Sequence, residues 1–125
     1  HFKDMLLRHT ANLRNVEQLP HVNKQILHQR TAQLNLNISQ IQAEICRDLT
    51  VQLENIEQFL KTKDAFGWQN TAKRIRGSAL YLCFERMAAL ATSLEAVDLQ
   101  HLDQATYLLE ALHTELQTVQ RLTLV

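Results

Sequence analysis

Four residues in one short run are of types that act together chemically: Lys73, Arg74 and Arg76 are cations, and Gly77 is one of only two glycines in the 125-residue chain. A lysine amine attacks an electrophile only when deprotonated, and with an ordinary pKa of about 10.4 roughly one copy in a thousand is so at neutral pH. Cationic neighbours such as Arg74 and Arg76 would lower that value, as would burial. On a helix, however, Lys73 falls off the apolar seam, onto a face with Gln69, Arg76, Gly77 and Leu80 that is expected to be exposed. Lys73 is therefore expected as a cation and not as a nucleophile. Gly77 follows it by one helical turn, at a position where glycine costs roughly 1 kcal/mol against alanine. Two readings fit that cost: tight packing against another helix, or a bare patch that lets a partner approach the backbone.

The charge around this run is uneven. Residues 61–86 hold Lys61, Lys63, Lys73, Arg74, Arg76 and Arg86 against Asp64 and Glu85. Residues 87–125 hold Arg121 against Glu95, Asp98, Asp103, Glu110 and Glu115. A nucleic-acid surface is a poor account of the basic quarter, because the segment is expected to lack exposed aromatics for stacking and the whole chain is neutral. Other constellations carry less. His21 and His28 are seven residues apart, about 10.5 Å along a helix, too far to share a metal. His101 and His113 are farther apart still, and no Ser-His-Asp spacing stands out. Cys83 is expected to pack at a helix turn, and Trp68 and Phe66 to serve as core or cap residues. No metal, no cofactor and no large pocket are expected.

These residues need elements to hold them. Phe2, Met5, Leu6, Leu13 and Val16 recur at helical spacing, and Pro20 closes that segment by disfavouring helix at Leu19. Residues 1–19 therefore read as a leading helix or linker. Val22, Ile26, Leu27, Thr31 and Leu34 predict a short amphipathic helix, after which Asn37 can cap the next. Ile38, Ile41, Ile45, Leu49, Leu53, Ile56 and Leu60 hold an apolar stripe over about six turns. Lys61-Thr62-Lys63-Asp64 has turn composition, with Asp64 placed to cap a helix from Ala65. Trp68, Ala72, Ile75, Ala79 and Leu82 then form a core-facing seam. A break at Leu82-Cys83-Phe84 precedes Met87, Leu90, Ala91 and Leu94, an acidic link near Asp98, and a last helix through Leu102, Ala105, Leu108, Leu109, Leu112, Leu116, Val119 and Leu122. Four substantial helices with short connections predict an all-α, antiparallel up-and-down four-helix bundle, with short extra helices at its N-terminal side.

Composition agrees. At 14.5 kDa and 46% hydrophobic residues the chain can bury one core unaided. Thirteen basic and thirteen acidic residues leave no global field to attract nucleic acid or anionic lipid. Two glycines and one proline are too few for a β-sandwich or a glycine-rich phosphate loop. No apolar run is long enough to span a bilayer, and two lone cysteines suggest a reducing cytoplasm.

The run Thr71-Ala72-Lys73-Arg74-Ile75-Arg76-Gly77-Ser78-Ala79-Leu80-Tyr81-Leu82-Cys83-Phe84-Glu85-Arg86-Met87, with Leu94-Glu95 beyond it, resembles the signature of histidine-containing phosphotransfer (HPt) domains. That signature reads Ala-His-x-Leu-Lys-Gly-Ser-Ala, then x-x-Leu-Gly-Ala-x-x-Leu, then Leu-Glu. The resemblance covers roughly residues 20 to 120 and implies an HPt-like four-helix bundle at 20–125. Two positions depart from it: Lys73 stands where the phosphorylated histidine belongs, and Cys83 where the family has glycine. His1, His9, His21, His28, His101 and His113 all lie outside the signature.

What the resemblance implies is a module of a bacterial two-component phosphorelay that docks receiver (response regulator) domains without carrying phosphate. The docking face would comprise Gln69, Lys73, Arg74, Arg76, Gly77 and Leu80, with Arg76 in the place of a family lysine that helps hold the phosphoryl group. Receiver domains present acidic residues around their phosphorylated aspartate, which a basic face suits. Implied partners are a receiver domain and the sensor kinase of the same chain or system, with no membrane contact by this domain. The implied setting is the cytoplasm, as the C-terminal module of an inner-membrane kinase. The alternatives are an active HPt domain whose histidine was replaced by engineering and a purely structural dimerisation bundle. An enzyme with its own small-molecule substrate comes last.

Overall fold

The structure, a computed structural model, describes residues 16–34 and 37–122. Five helices follow one another: α1 (Lys24–Leu34), α2 (Ile38–Lys61), α3 (Ala65–Tyr81), α4 (Glu85–Glu95) and α5 (Leu102–Arg121), the last preceded by a 3-10 turn at Leu99–His101. No strand occurs among the described residues. The apolar stripes dictate the packing. α2 packs on α3, α3 on α4, α4 on α5, and α5 closes the ring on α2. Short turns at 62–64 and 82–84 make neighbours antiparallel. The expected seam of α3 is the centre of the core: Trp68, Ala72, Ile75 and Ala79 are fully buried against Leu49 and Ile56 of α2 and Leu94, Leu112 and Val119 of the later helices.

α2 and α3 start and stop for local reasons. Asn37 accepts from the Gln40 amide at 3.2 Å and Asp64 from the Gly67 amide at 2.9 Å, so each cap satisfies a third-position N–H as expected. At the end of α3, Phe84 N–H donates to Ala79 at 2.8 Å and Cys83 N–H to Leu80 at 3.1 Å. The end of α2 repeats the pattern, Asp64 to Phe59 at 2.8 Å and Lys63 to Leu60 at 3.2 Å. These are paired Schellman closures, and each puts its pivot residue in the left-handed region, φ 56° at Lys63 and φ 59° at Cys83. Glycine usually occupies that pivot. Here both glycines lie inside α3 instead.

α1 begins at Lys24 rather than at Val22, because Asn23 caps it, its side chain accepting from Ile26 N–H at 3.3 Å. The segment ahead of it is strapped to the α3–α4 turn. Arg86 donates to the carbonyls of Glu17 at 2.7 Å and Leu19 at 2.9 Å, and its backbone N–H reaches that of Pro20. Asn23 N–H donates to Cys83 and its side chain to Glu85. His21 Nδ1 lies 2.6 Å from the buried Glu115 carboxylate of α5. Of the leading segment expected at 1–19, residues 1–15 lie outside the described residues. The 3-10 turn was not foreseen; Asp98 nucleates it by accepting from Gln100 N–H at 3.0 Å.

Candidate functional site

The seam of α3 has a complement. Phe66, Asn70, Lys73, Gly77 and Leu80 recur at spacings of four, three, four and three on the opposite side of the helix, and every one is exposed. Arg74 and Tyr81 flank the stripe, also exposed. Of the six residues expected to form one face, Lys73, Arg74, Gly77 and Leu80 stand together in solvent, and two do not share it fully. Gln69 is half-buried because its amide donates to the Val97 carbonyl at 2.9 Å, beside the Trp68 indole N–H at 3.1 Å on the same oxygen. Arg76 is half-buried because its Nη1 lies 2.8 Å from Glu95 Oε2 on α4. That contact is an ion pair without hydrogen-bond alignment, since Glu95 Oε2 is shut off from solvent and has no aligned donor. The expectation of full exposure is corrected at these two positions. Each is turned aside by a partner on the neighbouring α4 or its C-terminal link.

Lys73 and Arg74 have no such partner among the described residues. The uncompensated positive charge of α3 therefore concentrates at its midpoint, while Arg76 is neutralised. Gly77 has an equally simple setting. A Cβ built there meets nothing within 4 Å, and its backbone is not left-handed. This removes the packing reading of Gly77. Gly67 is the opposite case: a Cβ there would run into the Phe59 ring, so Gly67 is the glycine that lets α2 and α3 close on each other.

Phe66 is a second correction. It is 75% exposed, neither core nor cap, whereas Trp68 is fully buried. Phe66 lies at the start of the stripe and Leu80 and Tyr81, each 50% exposed, at its end. The basic segment thus does carry exposed aromatic rings, and the argument against a nucleic-acid surface rests on the neutral net charge alone. The sequence held the signal for this: the alternation that marks the seam marks its complement too, once read two residues out of phase.

The remaining candidates are structural in setting. Cys46 and Cys83 are buried, and burial pushes both thiols above the usual 9.0; at Cys83 nearby Arg30 works against that rise and Glu85 with it. His101 Nδ1 lies 2.6 Å from Asp98, and no histidine lies on α3. No group of three or more metal-ligating side chains occurs among the described residues. An open groove of about 540 Å³ does exist, against the expectation of none, but it is lined from α2 and Gln120 of α5. None of it belongs to α3.

The family model of the Hpt domain matches residues 40–122 of the chain, and the chain belongs to that family. The family places it in the phosphorelays of two-component signal transduction, where Hpt domains interact with receiver domains and kinases. Comparisons with curated proteins and with solved structures gave no match. Among the described residues no helix is long and apolar enough to cross a membrane.

Proposed function

We propose that this Hpt domain docks receiver domains through the outer stripe of α3 and accepts no phosphoryl group, Lys73 standing where the family's histidine stands. The observation that carries the docking is Gly77. An exposed glycine in mid-helix, with ordinary helical backbone and open space where its side chain would be, makes room for nothing among the described residues. Its use is external: it lets another backbone or side chain come close to α3 beside Lys73. The surrounding chemistry suits an acidic partner, with Lys73 and Arg74, which have no counter-ion among the described residues, at the centre and apolar Phe66 and Leu80 at the two ends. The absence of transfer follows from protonation. An exposed ammonium has no lone pair to attack an aspartyl phosphate, whereas a neutral imidazole has one near pH 7.

Two substitutions at one position test the docking. Gly77→Ala should raise the stability of the isolated domain by up to about 1 kcal/mol, since alanine is the better helix former and has room. Gly77→Phe, whose Cβ has the same open space, should leave the fold intact, checked by circular dichroism, and abolish binding to purified receiver domains from the same organism, measured by calorimetry. A folded Gly77→Phe domain that binds as the unaltered one does refutes the docking face. In the same samples, acid-labile phosphate acquired stoichiometrically from a phosphorylated receiver refutes the absence of transfer.

A further inference from the structure

We propose that Lys73 makes this face a reader of the receiver's phosphorylation state, binding the aspartyl phosphate tighter than the bare aspartate and leaving the phosphoryl group where it is. The inference rests on the docking reading and specifies which form of the partner is held. Lys73 lies seven residues from both Phe66 and Leu80, about 10 Å from each end of the exposed stripe. Its ammonium therefore leaves the helix at the centre of the contact area. Gly77, one turn on, removes the side chain that would otherwise keep a partner's reactive loop away from that point.

The charge there is uncommitted. Arg76 is held by Glu95 at 2.8 Å, and Lys73 and Arg74 have no counter-ion among the described residues. Phosphorylation replaces the single negative charge of the receiver's aspartate by about two and adds three phosphoryl acceptor oxygens. An ammonium offers three donors and no acceptor, so it matches a phosphoryl oxygen and gains less from a carboxylate already surrounded by its own neighbours. Docking also excludes water from the pair, which strengthens the attraction. No bond is made or broken: the N–H bonds of Lys73 stay intact, and the phosphorus–oxygen bond to the aspartate stays with the receiver. The substitution that removes transfer thus supplies retention. A charge-assisted contact of this kind corresponds to a preference of about tenfold or more.

The test measures one ratio. Receiver domains from the same organism are titrated with this domain in magnesium buffer, with and without beryllium trifluoride as the stable phosphoryl mimic. The unaltered domain is expected to bind the loaded form about tenfold tighter or more. Lys73→Gln, on an exposed position that leaves the fold unchanged by circular dichroism, is expected to bring the ratio close to one. Equal affinity of the unaltered domain for both forms overturns the proposal while leaving docking intact, as does a ratio that survives Lys73→Gln. Binding to neither form overturns the docking reading itself.

Discussion

Lys63 and Cys83 occupy the position where a helix end asks for glycine, and each bears a side chain in the left-handed region. Such a conformation costs a residue other than glycine on the order of 1 kcal/mol. At Lys63 the side chain is exposed and has no hydrogen bond or ion pair among the described residues to offset this. Lys63→Gly is therefore expected to stabilise the domain by about 0.5–1 kcal/mol, read as a shift of the urea midpoint without change in slope. Cys83 differs because its thiol is buried at the turn that Asn23 covers, and that burial opposes the backbone cost. Since burial also raises the Cys46 and Cys83 pKa values, the folded state holds their protons more tightly than the unfolded chain. The stability they contribute is intact below the usual 9.0 and is lost as pH rises through their raised folded values.

Among the elements, α3 carries the site because both of its faces are specified. Its seam was legible from Trp68, Ala72, Ile75 and Ala79, and its N-terminus from Asp64. Periodicity and capping are local properties, so α2, α3 and α5 fell within a residue or two of expectation. The partners that fix orientation were not legible. The Val97 carbonyl that receives both Trp68 and Gln69, and the Glu95 that draws Arg76 aside, act across α3 and the C-terminal side of α4, and no spacing within one helix encodes them. The two glycines show the same limit, since spacing left two readings open for Gly77 and offered none for Gly67, and the packing decides both. Gly67→Ala should destabilise by about 1–3 kcal/mol despite alanine's better helix propensity, because its methyl meets the Phe59 ring and the α2–α3 spacing must open. Thermal unfolding of Gly67→Ala beside Gly77→Ala should give shifts of opposite sign.

For the whole molecule, the strap ahead of α1 ties the leading chain to the turn that ends α3. Arg86 supplies most of that tie through the carbonyls of Glu17 and Leu19. Arg30 of α1 adds a bond to the Leu80 carbonyl at 3.0 Å, on the exposed stripe itself. Arg86→Ala should release residues 16–23 while leaving the ring of α2 to α5 closed. Amide hydrogen exchange is expected to show lost protection confined to the strap and the start of α1; loss spread through α3 would show that the strap is part of the folding unit. The bundle was expected from four apolar stripes and short turns. The strap was not, because most of its bonds are to backbone carbonyls that any sequence possesses.

Gly77 also sets what laboratory evolution of this domain would do. A library screened only for heat resistance meets a position where almost any residue fits, improves the helix and offends no neighbour. Winners would replace Gly77 early. Each would be a sturdier bundle and, on the docking we propose, a poorer partner, and nothing in its melting curve would record the loss. A screen that retains this glycine must therefore reward capture of the receiver in every round.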